Sequence, residues 1–166
     1  LVLAWESFAA QVVVIAAAAL AGWLVLDRTV EADDGTRLHA GGRRVGVACL
    51  AAFAVLLAGL PLLARATDSQ GLDAFDSFYR AGALVFGGGH VVLPLLQTAV
   101  VDPGWVSQQE FVAGYGAAQA VPGPLFTFAG YLGYVMEPEP NGVPGAVVAL
   151  VAIFLPGILL VVGALP

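Results

Sequence analysis

Apolar positions dominate the chain and fall into long runs. Phe8–Leu26 contains one polar side chain, Gln11, and approaches the ~20 residues that carry a helix across a bilayer. Val45–Leu63 is a second such run. Val143–Leu165 is a third, interrupted by Pro156-Gly157. Proline removes one backbone N–H and crowds the preceding turn, so the third run is expected to kink there. The stretch from Phe78 to Val135 has a different pattern. Phe78–Phe86 is apolar apart from Tyr79 and Arg80, Gly87-Gly88-Gly89-His90 breaks it, and Val91–Val101 is apolar again. Each arm is roughly 15 Å of helix, half a bilayer. The layout returns as Phe111–Ala120, a break at Val121-Pro122-Gly123-Pro124, and Leu125–Val135. The pattern predicts an all-α integral membrane protein, with transmembrane helices plus two discontinuous or re-entrant helical hairpins.

The polar connections set the topology. Asp27–Arg44 holds four of the six arginines, so it is expected to be a cytoplasmic linker. Between the broken segments lies Asp102–Phe111, where Ser107 and Glu110 make a capping box that predicts a helix from Gln108. Trp105 suits a membrane interface. Were each broken segment one full crossing, Asp102–Glu110 would be cytoplasmic, yet it has no arginine or lysine. With both segments as hairpins, the loops Ala64–Ser77, Asp102–Glu110 and Met136–Gly142 share the outer side. They hold one arginine, Arg65, against seven acids. The hairpin reading therefore agrees better with the charge rule.

Composition narrows the function classes. The chain is 60% hydrophobic and 11% charged, against about 25% charged residues in soluble domains. Acids outnumber arginines twelve to six and lysine is absent, so no patch could track a phosphate backbone and no nucleic-acid partner is expected. The lone Cys49 is expected to be a small buried core residue. His39 and His90 lie far apart, which argues against a metal site. No glycine-rich phosphate loop is present and no cofactor is expected.

The breaks are the candidate chemistry. Unpaired backbone groups in hydrocarbon cost several kcal/mol each, so a break at mid-membrane needs protein, water or a ligand to satisfy it. A half-helix from Val91 would start at the membrane centre, with its free N–H groups and positive dipole end beside His90. Pro94 would fall in its first turn. A second half-helix would begin at Leu125, after Pro124. Two convergent helix N-termini attract an anion. The candidate binding residues are Gly87, Gly88, Gly89, His90, Gln119, Pro122, Gly123, Pro124 and Thr127. The glycines would allow close backbone approach, and Gln119 and Thr127 would add donors. Competing structural readings exist for each: glycines serve helix packing, prolines kink helices without any ligand, and His90 hydrogen-bonds the broken backbone. Arg80 either snorkels to the interface or supplies positive charge along an entry path.

These segments, "FGGGHVVLPLL", "GWVSQQEF" and "GYGAAQAVPGPLFTFAGYLG" in this order, resemble the C-terminal half of the chromate ion transporter family. The family repeat carries Phe-Gly-Gly, then Trp-Ile/Val-Ser with a following aromatic, then Pro-Gly-Pro. These stand at Phe86–Gly88, at Trp105–Ser107 with Phe111, and at Pro122–Pro124. The resemblance is strong over Phe78–Val162 and rests on hydropathy alone over Phe8–Leu63. It implies a multi-pass protein of the prokaryotic plasma membrane that exports chromate, a tetrahedral dianion, and confers chromate resistance. It also implies a division into residues 1–26 as the last helix of an N-terminal repeat, 27–44 as the linker, and 45–166 as a C-terminal repeat of inverted orientation. The chain starts without methionine and ends in an apolar run, so both ends are expected to be cut. The expected partners are the anion, membrane lipid, and the missing N-terminal half or a second copy.

Two alternatives stay open. Sulfate has the same shape and charge as chromate, so a sulfate or other oxyanion transporter fits equally. A membrane-embedded hydrolase would need a nucleophile and base in reach. However, Ser69, Ser77 and Ser107 fall in predicted loops and His90 has no acidic or serine neighbour in sequence, so no catalytic residue is expected.

Overall fold

The computed structural model describes residues 43–85, 89–120 and 125–164, with residues 89 and 90 in backbone only; all belong to one unit, 39–166. The first apolar run, nearly all of the linker, and Gly87, Gly88, Pro122, Gly123 and Pro124 lie outside the described residues. The described chain is helical throughout, with no strand. Its elements are α1 (Arg43–Thr67), α2 (Gln70–Ala83), α3 (Gly89–Val100), α4 (Gln108–Ala120), a 3-10 turn (Leu125–Thr127), α5 (Phe128–Val135) and α6 (Gly142–Ala164). By length and composition, α1 and α6 are each able to cross a membrane. The α2 and α3 helices, like α4 and α5, are about half as long.

Three helices, α1, α2 and α5, pack on α6. Its buried positions are Gly145, Ala149, Ala152, Ile153, Pro156 and Gly163, a narrow strip of mostly small side chains. In lipid no hydrophobic force draws helices together, so close van der Waals packing across small residues must do so. Near the start of α6, Gly145 meets Gly133 of α5, and a Cβ on either glycine would strike the other's carbonyl oxygen. At the middle, Gly82 of α2 lies directly on the carbonyl of Ile153. Near the end, a Cβ on Gly46 of α1 would lie 3.1 Å from the Gly163 carbonyl oxygen. The start of α1 thus packs on the end of α6, and the two helices run antiparallel.

The loops cluster at one end of the molecule. Glu137 N–H, just after α5, donates to the carbonyl of Trp105, between α3 and α4, at 2.9 Å. Gly71, at the start of α2, packs against the ring of Pro140, just before α6. This end therefore gathers the start of α2, the end of α3, the start of α4 and the end of α5. It carries Asp68, Asp102, Glu137 and Glu139, while Arg43 and Arg44 begin α1 at the opposite end.

The structure corrects several expected boundaries. Ala64–Ser77 is not a loop: α1 runs to Thr67 and α2 starts at Gln70, leaving only Asp68 and Ser69 between them. Leu72, Phe75 and Phe78 recur at helical spacing, and the acids Asp73 and Asp76 ride the other positions of the same helix. A single helix, α6, continues through Pro156. Cys49 is half-buried on α1 rather than a core residue.

The glycine contacts give a direct test. Gly82→Leu should destabilise the folded protein by about 1–3 kcal/mol or more through overpacking against a backbone that cannot yield. Gly59, in α1, has no neighbour within 4 Å of an added Cβ, so Gly59→Ala should be neutral or slightly stabilising. Thermal unfolding of the detergent-solubilised variants separates the two; equal midpoints would mean the Gly82 contact does not hold α2 on α6.

Candidate functional site

The flanks of both breaks reach the same level of α6. Gly82, one residue before the end of α2, lies on Ile153. Phe126, in the 3-10 turn that opens the second arm of the other pair, meets Phe154 edge-on, with ring centroids 5.7 Å apart at 72°. Ile153 and Phe154 are consecutive. From Gly142 to Ile153 the helix rises about 16 Å, close to half its length. An independent path gives the same depth: Arg80, beside Gly82, bonds the carbonyl of Leu57, which lies about 15 Å along α1 from Thr67.

The arms are held differently in the two pairs. In α3 the buried row Val92, Leu96 and Val100 has a spacing of four and forms its core-facing stripe. Between α4 and α5 the contact is aromatic. Phe111 and Phe128 meet edge-on at 5.2 Å, and Tyr115 approaches Phe128 at 6.3 Å. Gly114 leaves the space that the Tyr131 ring fills, and the Tyr131 hydroxyl reaches the Glu110 carbonyl one turn back at 3.3 Å.

The expected site residues are placed as follows. Gly89 and His90 lie inside the first turn of α3, so the helix starts two residues earlier than the sequence pattern suggests. Pro94 then falls in the second turn, where its missing N–H leaves the carbonyl of residue 90 without its helical donor. Gln119, at the end of α4, donates to the Tyr115 hydroxyl at 2.6 Å. Thr127 closes the 3-10 turn at the start of α5, so the α-helical N-terminus of this arm comes at Phe128 rather than Leu125. Gly87, Gly88, Pro122, Gly123 and Pro124 lie outside the described residues.

A charged pair enters the site's surroundings that the sequence pattern had not marked as one unit. Arg80 Nε donates to both carboxylate oxygens of Asp76, at 2.9 and 3.0 Å. Its Nη2 donates to the Leu57 carbonyl at 3.2 Å. That carbonyl is the one whose helical partner would be residue 61, and residue 61 is a proline. Arg80 thus supplies the donor that Pro61 lacks. The signals were present as an acid four residues before an arginine on one helix and a proline four residues after Leu57. Only packing joins them.

The predicted capping box is formed. Ser107 Oγ bonds Glu110 Oε2 at 2.6 Å, Glu110 N–H donates to Ser107 Oγ at 3.2 Å, and Ser107 N–H donates to Glu110 Oε2 at 3.1 Å. The α4 helix begins at Gln108, as this motif requires.

The family model described as chromate transporter matches residues 72–166. A "Probable chromate transport protein" of Synechococcus elongatus is 41% identical over 86 residues, covering 51% of this chain and 21% of that protein. A chromate transport protein of Pseudomonas aeruginosa is 34% identical over 113 residues, 66% of this chain and 26% of that protein. The transporter YwrB of Bacillus subtilis is 39% identical over 93 residues, 55% of this chain and 45% of that protein. The match thus spans about a quarter or less of the first two relatives and under half of the third. No solved structure matches the chain significantly.

Hydrogen bonds from the Ser107 hydroxyl, and then from its backbone N–H, hold the Glu110 carboxyl below its ordinary range. A carboxylate so depressed contributes stability above its unfolded pKa, about 4.3, and loses it as pH falls through the lower folded value. Glu110→Gln should therefore flatten part of the decline in unfolding temperature below about pH 4.3. A decline of the same slope in wild type and variant would show that the box does not stabilise α4.

Proposed function

Because the chain belongs to the chromate transporter family, we propose that it forms an oxyanion pathway of a secondary transporter, which exports chromate across the prokaryotic plasma membrane and so confers chromate resistance. The observation that carries this reading is that the described flanks of the two breaks, Gly82 and Phe126, meet α6 at the consecutive residues Ile153 and Phe154, about halfway along it. Backbone interrupted at that depth has to be satisfied by protein, water or a ligand. Two short helices, α3 and α5, begin near this level and run toward the acidic end, so their positive N-terminal ends favour an anion there. Residues Gly87, Gly88, Gly89, His90, Gln119, Pro122, Gly123, Pro124 and Thr127 form the site in this reading.

The same contacts support α2–α3 and α4–α5 as re-entrant hairpins. Both ends of each pair meet at the acidic end, through Trp105–Glu137 and Gly71–Pro140. With Arg43 and Arg44 at the opposite end, the positive-inside rule puts the acidic end outside. Residues 45–166 then act as a C-terminal repeat completed by an N-terminal repeat of opposite orientation or by a second copy. Transport is driven by membrane potential or by coupled ion exchange. Sulfate shares the shape and charge of chromate and is the alternative cargo.

Inverted vesicles from cells expressing the full-length protein should accumulate radiolabelled chromate. No uptake under any ion gradient would remove the reading, and uptake of sulfate without chromate would reassign the cargo. Gly88→Leu and Gly123→Leu should abolish uptake while the protein still inserts, because a side chain there blocks backbone approach; unchanged uptake would free these glycines from the site.

His90 offers a further handle. A bound dianion favours a protonated imidazole, so chromate affinity should rise as pH falls through the histidine range. His90→Gln keeps a donor and should flatten that profile; identical profiles, corrected for protonation of chromate itself, would make His90 a structural residue.

A further inference from the structure

We propose that Arg80 is the fixed cation that the transported oxyanion meets at mid-depth, and that Asp76 is the internal anion that competes with it for that charge. This rests on the transport reading above and adds the residues that set anion selectivity and release.

The geometry carries it. Arg80 sits at the level of the two breaks, two residues before Gly82 on the same helix. Among the described residues, the other arginines lie toward the ends: Arg43 and Arg44 begin α1, and Arg65 is in its last turn. No residue of α6 is charged or titratable, and on α1 the guanidinium bonds the Leu57 carbonyl. Among the described side chains, Asp76–Arg80 is the ion pair at this depth. An arginine near the bilayer centre is costly unless it faces protein or water, and an apolar pair could hold α1 to α2 at no such cost.

The way Arg80 is held also leaves a binding edge. Guanidinium has five N–H donors. Asp76 takes the Nε side, both carboxylate oxygens sharing one N–H, and Leu57 takes one N–H of Nη2. The two N–H groups of Nη1 and the second of Nη2 have no acceptor among the described residues. Nη1 therefore keeps donors for the oxygens of a tetrahedral anion. The side chain is 38% exposed, while Asp76 is 15% exposed, so the arginine is the more accessible partner. Pro61 fixes the guanidinium at this position by keeping the Leu57 carbonyl in need of a donor. A dianion arriving at Nη1 competes with Asp76 for the same charge. The carboxylate, still on the Nε side, repels the bound anion, which keeps its residence short.

The test is radiolabelled chromate flux through the full-length protein in liposomes, read as KM and kcat separately. Asp76→Asn removes the competing carboxylate and should lower KM roughly tenfold while lowering kcat through slow release. Arg80→Gln should lose saturable flux. Because either single change strands a charge, the double variant Asp76→Asn/Arg80→Gln supplies the decisive case. It leaves no unpaired ion and should insert normally, yet carry no chromate. Wild-type flux in the double variant, or an unchanged KM in Asp76→Asn, would reduce the pair to a staple between helices and overturn the proposal, with the transport reading intact. A wild-type protein that carries neither chromate nor sulfate would remove the transport reading first.

Discussion

The approach of backbone to backbone along α6 is the constraint on which the other helices depend. Gly145 against Gly133, Ile153 against Gly82 and Gly163 against Gly46 place three different helices at three heights on one helix. Each contact needs a missing side chain on at least one partner. Where two backbones touch, neither can slide without collision, so the register of α1, α2 and α5 along α6 is set within about one residue's rise. The half-length helices have few lipid-facing turns with which to anchor themselves. Their depth is inherited from α6.

That inherited depth gives the breaks their meaning. An interrupted helix near the membrane surface would find water for its free groups. One at mid-membrane needs protein, a water-filled cavity or a ligand to satisfy them. The structure handles the resulting polar groups by pairing them across elements. Pro61 withholds a donor from Leu57, and Arg80 provides one. Pro94 withholds one from the carbonyl of residue 90, at the rim of the first break. Proline and break thus act together, since each leaves backbone oxygen or nitrogen ready for a partner other than its own helix.

The two arms of each pair are held by different means, with different consequences. The α4–α5 contact is a group of aromatic rings closed by Tyr131 over Gly114, and ring packing of this kind resists small displacements. In the α2–α3 pair, α3 contributes the aliphatic row Val92, Leu96 and Val100, and α2 is tied to α1 by bonds from Arg80 to the Leu57 carbonyl and from the Tyr79 hydroxyl to the Phe53 carbonyl.

Local chemistry alone determined much of this protein. The apolar runs predicted α1 and α6 because about 20 apolar residues have one inexpensive arrangement in lipid. Ser107 and Glu110 set the first residue of α4, because capping is a bond between neighbours in sequence. The glycine and proline clusters marked the stretches beside which α2 and α4 end, at Ala83 and Ala120. Three things were settled only by tertiary structure. The helical state of Ala64–Ser77 depended on burying Ala74 and Phe78, which outweighed the polar residues between them. The common level of the breaks depended on which glycine meets which carbonyl. The pairing of Arg80 with Leu57 joins residues 23 apart in sequence on two helices, and a sequence carries no direct signal for a bond whose acceptor is a backbone oxygen that any residue possesses.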